Sequence, residues 1–415
     1  MPRILLALLL AALATAAAAQ EIVLRHALTG AAQDELSTLV LRFNDEQKGR
    51  AKVVLQELSG VADKRQLPTL ALLDDDDEWT FFGTRPRFRS LVDVMKAGGE
   101  PLNAGSLLPQ MADAVDDPRG RVQALPLAMA LPVLFYNKDA FARAGLDAGN
   151  PPKTWAQVQE AAGKLFDAGF RCPLTTSRFA WVHIENVASQ HGEPALVRTG
   201  KGERVAFNSL VEVKHLARLA SWQKSFYFHY FGPGREGDAR FLSGECSMLT
   251  GESDLYAQLK DNRHFAVGVA ELPYYEDVYG VQPANLLPDG AALRVLAGKK
   301  KPEERVAARF VAFLMRPEIQ REWVAGTGFL PMTGTALEAL ATAGSSPAIV
   351  DSARRRLSMP GQANVHLRPG FGRGRVRAIL AEEVEFVWQN TKPAKQALDN
   401  AMERANQPFF LRPRQ

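Results

Sequence analysis

Long apolar runs are scarce in this chain. The one that stands out is at the N-terminus, residues 4–13, and it is shorter than the ~20 residues a membrane-spanning helix needs. No other segment reaches that length, so the mature chain is expected to be soluble. Cysteine is nearly absent: Cys172 and Cys246 are the two in 415 residues, and their spacing matches no zinc motif. A strong charge imbalance is lacking too. The formal net charge of +4 is too small to imply a nucleic-acid binder. There is no Walker or dinucleotide-binding glycine fingerprint, and no set of nucleophile, base and orienting group stands out. These absences argue against an enzyme and against a resident cofactor.

What is present begins with a leader. Arg3 supplies a basic start, residues 4–13 an apolar core, and Ala17-Ala18-Ala19 a small-residue cleavage site before Gln20. That pattern predicts a secretory signal peptide over residues 1–19, and with no Cys after the site a lipid anchor is not expected. Losing Arg3 lowers the net charge from +4 to +3. Roughly 395 residues remain, more than one core usually supports, so two domains are expected. In an oxidising compartment the two cysteines either pair or stay as two buried thiols, and the sequence leaves both open. Basic residues gather late, from Arg354-Arg355-Arg356 through Arg368, Arg373, Arg375 and Arg377. This suits an anionic ligand or a solvated face equally.

The chain is organised around residues 125–147. The run from Leu125 to Tyr136 reads as a buried strand. Asn137 stops it, residues 138–144 read as a short helix closed by Gly145, and Thr154 is the N-cap of the next helix. Upstream, residues 21–24 and 53–55 read as strands around an amphipathic helix with Leu36, Leu39, Val40 and Phe43 on one face, a parallel α/β unit. A third strand, residues 68–73, runs into Asp74-Asp75-Asp76-Asp77-Glu78. In open parallel sheets ligands sit beyond the carboxyl ends of strands. The acidic run therefore reads as a ligand contact, a hard-cation site or a solvated loop. It lacks the spacing and glycine of a calcium loop. His26 is a lone histidine, read as structural rather than as a ligand contact.

The pieces "YNKDAFARAGLD" and "PPKTWAQV", in that order after the strand, resemble a signature of extracytoplasmic solute-binding proteins of ABC importers. "FLSGECSM" (241–248), "NLLPDGAAL" (285–293) and "TGFLP" (327–331) match further segments of that family. "WVHIEN" (181–186) and the tail from Pro393 to Asn406 resemble its glycerol-3-phosphate-binding branch. The resemblance implies an α/β, two-lobed periplasmic-binding fold of type II, like maltose-binding protein. It implies one lobe from residues 20–126 with 275–333 and another from 127–274 with 334–415. It further implies a cleft that closes over a small solute, delivery to ABC permease subunits, a monomer, no metal, and a periplasmic location in a Gram-negative bacterium.

Carried over residue by residue, the resemblance points to Asp75, Ala128, Trp181, Ser253, Gly290, Phe329 and Arg377 as ligand-binding. Asp75 would accept bonds from ligand hydroxyls, Trp181 would pack on the ligand, and Ser253 and Gly290 would offer a hydroxyl and close backbone. Arg377, at a helix start, would pair with a phosphate. The chain also departs from the family. About a dozen residues seem missing after Ser59, Arg178 stands where an aromatic is expected, Phe329 replaces a tyrosine, and Asp289 replaces the first of two glycines. Ala128-Met129-Ala130 stand where small hydroxyl residues are expected. The lead expectation is a phosphorylated glycerol-type solute, with a sugar or oligosaccharide as the alternative and a secreted hydrolase as a third.

Overall fold

The structure, a computed structural model, describes residues 19–58, 67–82, 88–117, 119–200, 202–277, 286–342, 347–358 and 372–407. The predicted leader up to residue 18, the shortened stretch 59–66, Pro118, Asn285, Arg368 and the tail beyond residue 407 lie outside the described residues.

Strands β1 (Gln20–His26), β2 (Ala51–Glu57) and β3 (Leu70–Leu73) are parallel, with β1 between the other two. Ile22, Leu24 and His26 alternate inward on β1, while β3 is buried at every residue, as a central strand should be. β4 (Phe88–Arg89) and β5 (Leu125–Ala130) follow. The first sheet is completed by β13 (Asp289–Leu296), which returns antiparallel to β3, β4 and β5.

The second sheet is built from the intervening chain. β6 (Pro132–Asn137), β7 (Cys172–Thr176), β10 (Phe228–His229), β11 (Cys246–Glu252) and β12 (Val267–Glu271) pair in the order β10-β7-β11-β6-β12. β8 (Leu196–Thr199) and β9 (Gly202–Val205) form a separate hairpin. Residues 125–136 were expected to form one strand, stopped by Asn137. They form two: β5 pairs with β13 in the first sheet, and β6 lies between β11 and β12 in the second. The chain changes sheet at Leu131, where the sequence reading put the passage between residues 126 and 127. Every residue of both strands is buried, so the hydrophobic pattern carries no mark of the change.

Local signals and tertiary structure agree at the helix starts. The side chain of Asn137 accepts from the backbone of Asp139 and Ala140 and opens the helix Lys138–Arg143. Thr154 and Gln157 form a capping box at the start of Trp155–Asp167. Cys172 and Cys246 face each other in register on β7 and β11 and form a disulfide. Toward the C-terminus, the helices Arg373–Trp388 and Ala394–Ala405 pack together. The first of them also lies against Asp75–Phe82, a helix that leaves the first sheet. No described helix is long and apolar enough to cross a membrane.

Candidate functional site

A cavity of about 440 Å³ lies between the two sheets. From the first sheet's side it is lined by the β1–helix turn (Ala27, Leu28, Thr29), Asp74 and Asp77, Ala128 on β5, Gly290 on β13, and Phe329. From the second sheet's side come Arg178 after β7, Arg235 and Asp238 at the helix Glu236–Leu242, and Glu252 and Asp254 at the end of β11.

The acidic run after β3 is a helix start, not a loop. The Asp74 carboxylate accepts from the Asp77 backbone N–H at 2.7 Å, which orders the first turn of Asp75–Phe82. Helical geometry then splits the run by direction. Asp74 and Asp77 line the cavity. Asp75 points elsewhere, to Arg373 at 3.0 Å and Arg294 at 3.8 Å. Of the acidic run, Asp74 and Asp77 rather than the expected Asp75 therefore face the cavity.

Gly290 has φ +144°, and a Cβ there would lie 2.0 Å from the carbonyl oxygen of Ala128. Only glycine lets β13 come this close to β5 on the cavity wall. Phe329 stacks on Trp323, with ring centroids 5.9 Å apart, and presents its remaining surface to the cavity. Ala128, Gly290 and Phe329 thus share the cavity wall, as the sequence reading grouped them.

Three other expected contacts sit elsewhere. Ser253 is 1% exposed and clamps the crossing: its N–H donates to the Leu131 carbonyl at 2.9 Å, and its Oγ accepts from the Leu131 N–H at 3.0 Å. Trp181 is equally buried and donates its indole N–H to the Leu287 carbonyl at 3.0 Å. Arg377 is 4% exposed and held on both sides by carboxylates, Glu185 at 2.5 and 3.0 Å and Asp289 at 2.6 Å. Trp181, Arg377, Arg373 and Glu185 line a recess of only about 10 Å³, room for about one water. His26 is buried in β1 and does not line the cavity.

The cavity residues that were not among the expected ligand contacts are mostly charged, and one of them, Arg178, figured in the sequence reading only as a departure from the family. Arg178 donates to Asp74 at 2.5 Å and to Asp289 at 2.8 Å. Its backbone is left-handed, φ +52°, uncommon for a residue with a side chain, and its N–H is fixed on the Gly234 carbonyl. Arg235 pairs with Asp238, Glu252 and Asp254. "GREGD" (234–238) and "GESD" (251–254) were the available signals. What no pattern gave was that these segments meet, Arg235 reaching Asp254 19 residues further along the chain.

Electrostatics divide the site. Burial, reinforced by Asp74, pushes the Asp77 carboxyl up to about 7 despite Arg178. Burial likewise raises Glu252 to about 7 against the pull of Arg235 and Arg178. Asp289 goes the other way. Burial acts to raise it, but Arg377, Arg178 and Arg373 together hold it well below the usual carboxylate range. Among the described residues no group of three or more His, Cys, Asp or Glu is placed to hold a metal ion.

Residues 46–349 match the family described as "Bacterial extracellular solute-binding protein". The chain belongs to that family. Over 95% of its length it is 32% identical to a protein of Pectobacterium atrosepticum named sn-glycerol-3-phosphate-binding periplasmic protein UgpB, covering 92% of that relative. The protein of the same name from Escherichia coli is also 32% identical, over 97% of this chain and 95% of its own. Among solved structures, UgpB from Mycobacterium tuberculosis in complex with glycerophosphocholine superposes with a TM-score of 0.71 at 18% identity, covering 93% of this chain and 98% of that one. Maltose-bound MalE3 of T. maritima gives 0.71 at 19% identity, covering 93% and 99%. The fold is therefore that of the two-lobed, maltose-binding-protein-like binders. This solute-binding protein is the substrate-binding component of ABC import and not an enzyme.

Proposed function

We propose that this solute-binding protein captures a small hydroxylated solute of the sugar or glycerol type between its lobes, closes over it, and hands it to its permease subunits. The lobes of this reading follow the expected division except at the first crossing, which falls at Leu131 and not between residues 126 and 127. The protein acts as an exported, periplasmic monomer.

The observation that carries the reading is the cavity lining. Asp74, Asp77, Asp238, Glu252 and Asp254 face Arg178 and Arg235 around the Phe329 ring. Carboxylates accept and guanidiniums donate hydrogen bonds to hydroxyl groups, and the ring packs on carbon. Five acidic side chains against two arginines disfavour a dianion in the same space, so a neutral solute fits best. A second reading is sn-glycerol-3-phosphate or a glycerophosphodiester. The names of the relatives support it, and Arg178 or Arg235 would then exchange a carboxylate for the phosphate.

Isothermal titration of the mature protein with a series of mono- and oligosaccharides including maltose, with glycerol-3-phosphate and with glycerophosphocholine tests both. Saturable heat with a sugar and none with the phosphate esters is expected. The reverse pattern establishes the second reading, and heat with none of them overturns the proposal.

A further inference from the structure

Three guanidiniums converge on one carboxylate of the chain itself. Arg178 Nη2 and Arg377 Nη1 donate to Oδ2 of Asp289 at 2.8 and 2.6 Å, and Arg373 Nη1 donates to Oδ1 at 3.2 Å. Each arginine also keeps a carboxylate of its own. Arg178 has Asp74, Arg373 has Asp75, and Arg377 has Glu185. Asp289 is thus the shared centre, and each of the three arginines aims one N–H-bearing nitrogen at it. The side chains of Asp289, Arg377 and Arg373 are 3%, 4% and 8% exposed, so the cluster sits away from bulk water.

Asp289 cannot easily leave. Its backbone opens β13 opposite Ala130, and the next residue, Gly290, is pressed against the Ala128 carbonyl. The recess beside Arg377 and Arg373, about 10 Å³, is too small for a phosphate group. A free anion would have to displace a carboxylate that is tethered in place and so competes at high effective concentration. Bound beside Asp289 instead, it would put like charges in contact in a desolvated site.

We infer that Asp289 is a built-in anion. It fills an oxyanion site formed by Arg178, Arg373 and Arg377 and closes that part of the cleft to the phosphate or carboxylate group of a solute. The inference rests on the solute-capture reading and narrows it: Asp289 is a specificity-determining residue that excludes solutes needing Arg377 for their charge. Without the Asp289 side chain, three buried donors lose their acceptor, and a small oxyanion can restore it.

Thermal denaturation tests this on the mature protein and Asp289→Gly, with inorganic phosphate or formate added against chloride of matched ionic strength. The wild type is expected to show no shift beyond the chloride control. The variant is expected to melt lower and to recover a few degrees with phosphate or formate, saturably, as ligand linkage requires. A cluster that merely holds the lobes together would lose stability in the variant without this rescue, and that result overturns the inference. So does a saturable phosphate titration of the wild-type protein that is lost in Arg377→Met. Should Asp289→Gly fail to fold, Asp289→Ser leaves much of the same space, and the wild-type titration stands without either variant. Phosphate and formate carry none of the carbon-bound hydroxyls that define the proposed solute. The rescue can therefore fail while a sugar binds, and a sugar can fail to bind while the rescue succeeds.

Discussion

A single carboxyl shows how the cavity is tuned. Asp77 is drawn out of water, sits beside Asp74, and feels the pull of Arg178, which Asp74 already holds. Its folded pKa of about 7 lies above the ~3.9 of an unfolded Asp, so the native state holds this proton more tightly. The cost of ionising Asp77 is absent near pH ~4, grows as the pH rises, and is complete above about 7. Asp77→Asn is therefore expected to raise the melting temperature at about pH 8 and to leave it almost unchanged at about pH 4. An equal effect at both values would show that the carboxyl is solvated in solution. At this scale the sequence was partly readable. Ala128, Gly290 and Phe329 reach the cavity wall because strand ends and turns place them there. Arg377 does not, because whether a buried charge faces a ligand or a neighbouring carboxylate depends on Asp289 and Glu185, which are 88 and 192 residues away from it in the chain. Trp181 does not, because its indole N–H is taken by the Leu287 carbonyl, 106 residues away.

Elements were legible wherever a local signal fixed them. The Thr154–Gln157 capping box and the Asn137 cap are short-range chemistry, and both stand where the residue types put them. The division of residues 125–137 between two sheets was not legible, since an all-buried strand reads the same in either sheet. The cysteine pairing was likewise open until β7 and β11 lay side by side. Their disulfide closes a loop across a sequence separation of 74. Loop closure of that size is worth about 4 kcal/mol in the chain-entropy model, and disulfides typically deliver about 2–4 kcal/mol. Cys172→Ser with Cys246→Ser should therefore lower the unfolding free energy by about 2–4 kcal/mol in urea. A loss under about 0.5 kcal/mol would mean that the denatured chain is held compact by other means.

At the scale of the whole molecule, the lobes are joined by more than their crossings. Arg178, from the second sheet's side, reaches Asp74 and Asp289 on the first, and Arg373 reaches Asp75 and Asp289. Removing one member of a buried ion pair costs about 3–5 kcal/mol. Part of that cost in Arg178→Ala should surface as opening of the cleft. A larger radius of gyration by small-angle scattering is expected for the variant than for the wild type without solute. Identical radii would place the closure on the remaining bridges, such as Arg373 with Asp75 and Asp289, instead.

The order of the strands has a consequence for how the protein is made. The second sheet uses only residues 132–271, but the first needs β13, from residues 289–296, as the strand that joins β3 to β4 and β5. A chain emerging N-terminus first must hold β1 to β3 with a bare edge while residues 74–288 come through, and the later-built half can finish first. The exposed edge of β3 in that interval is where a holding chaperone would be of most use.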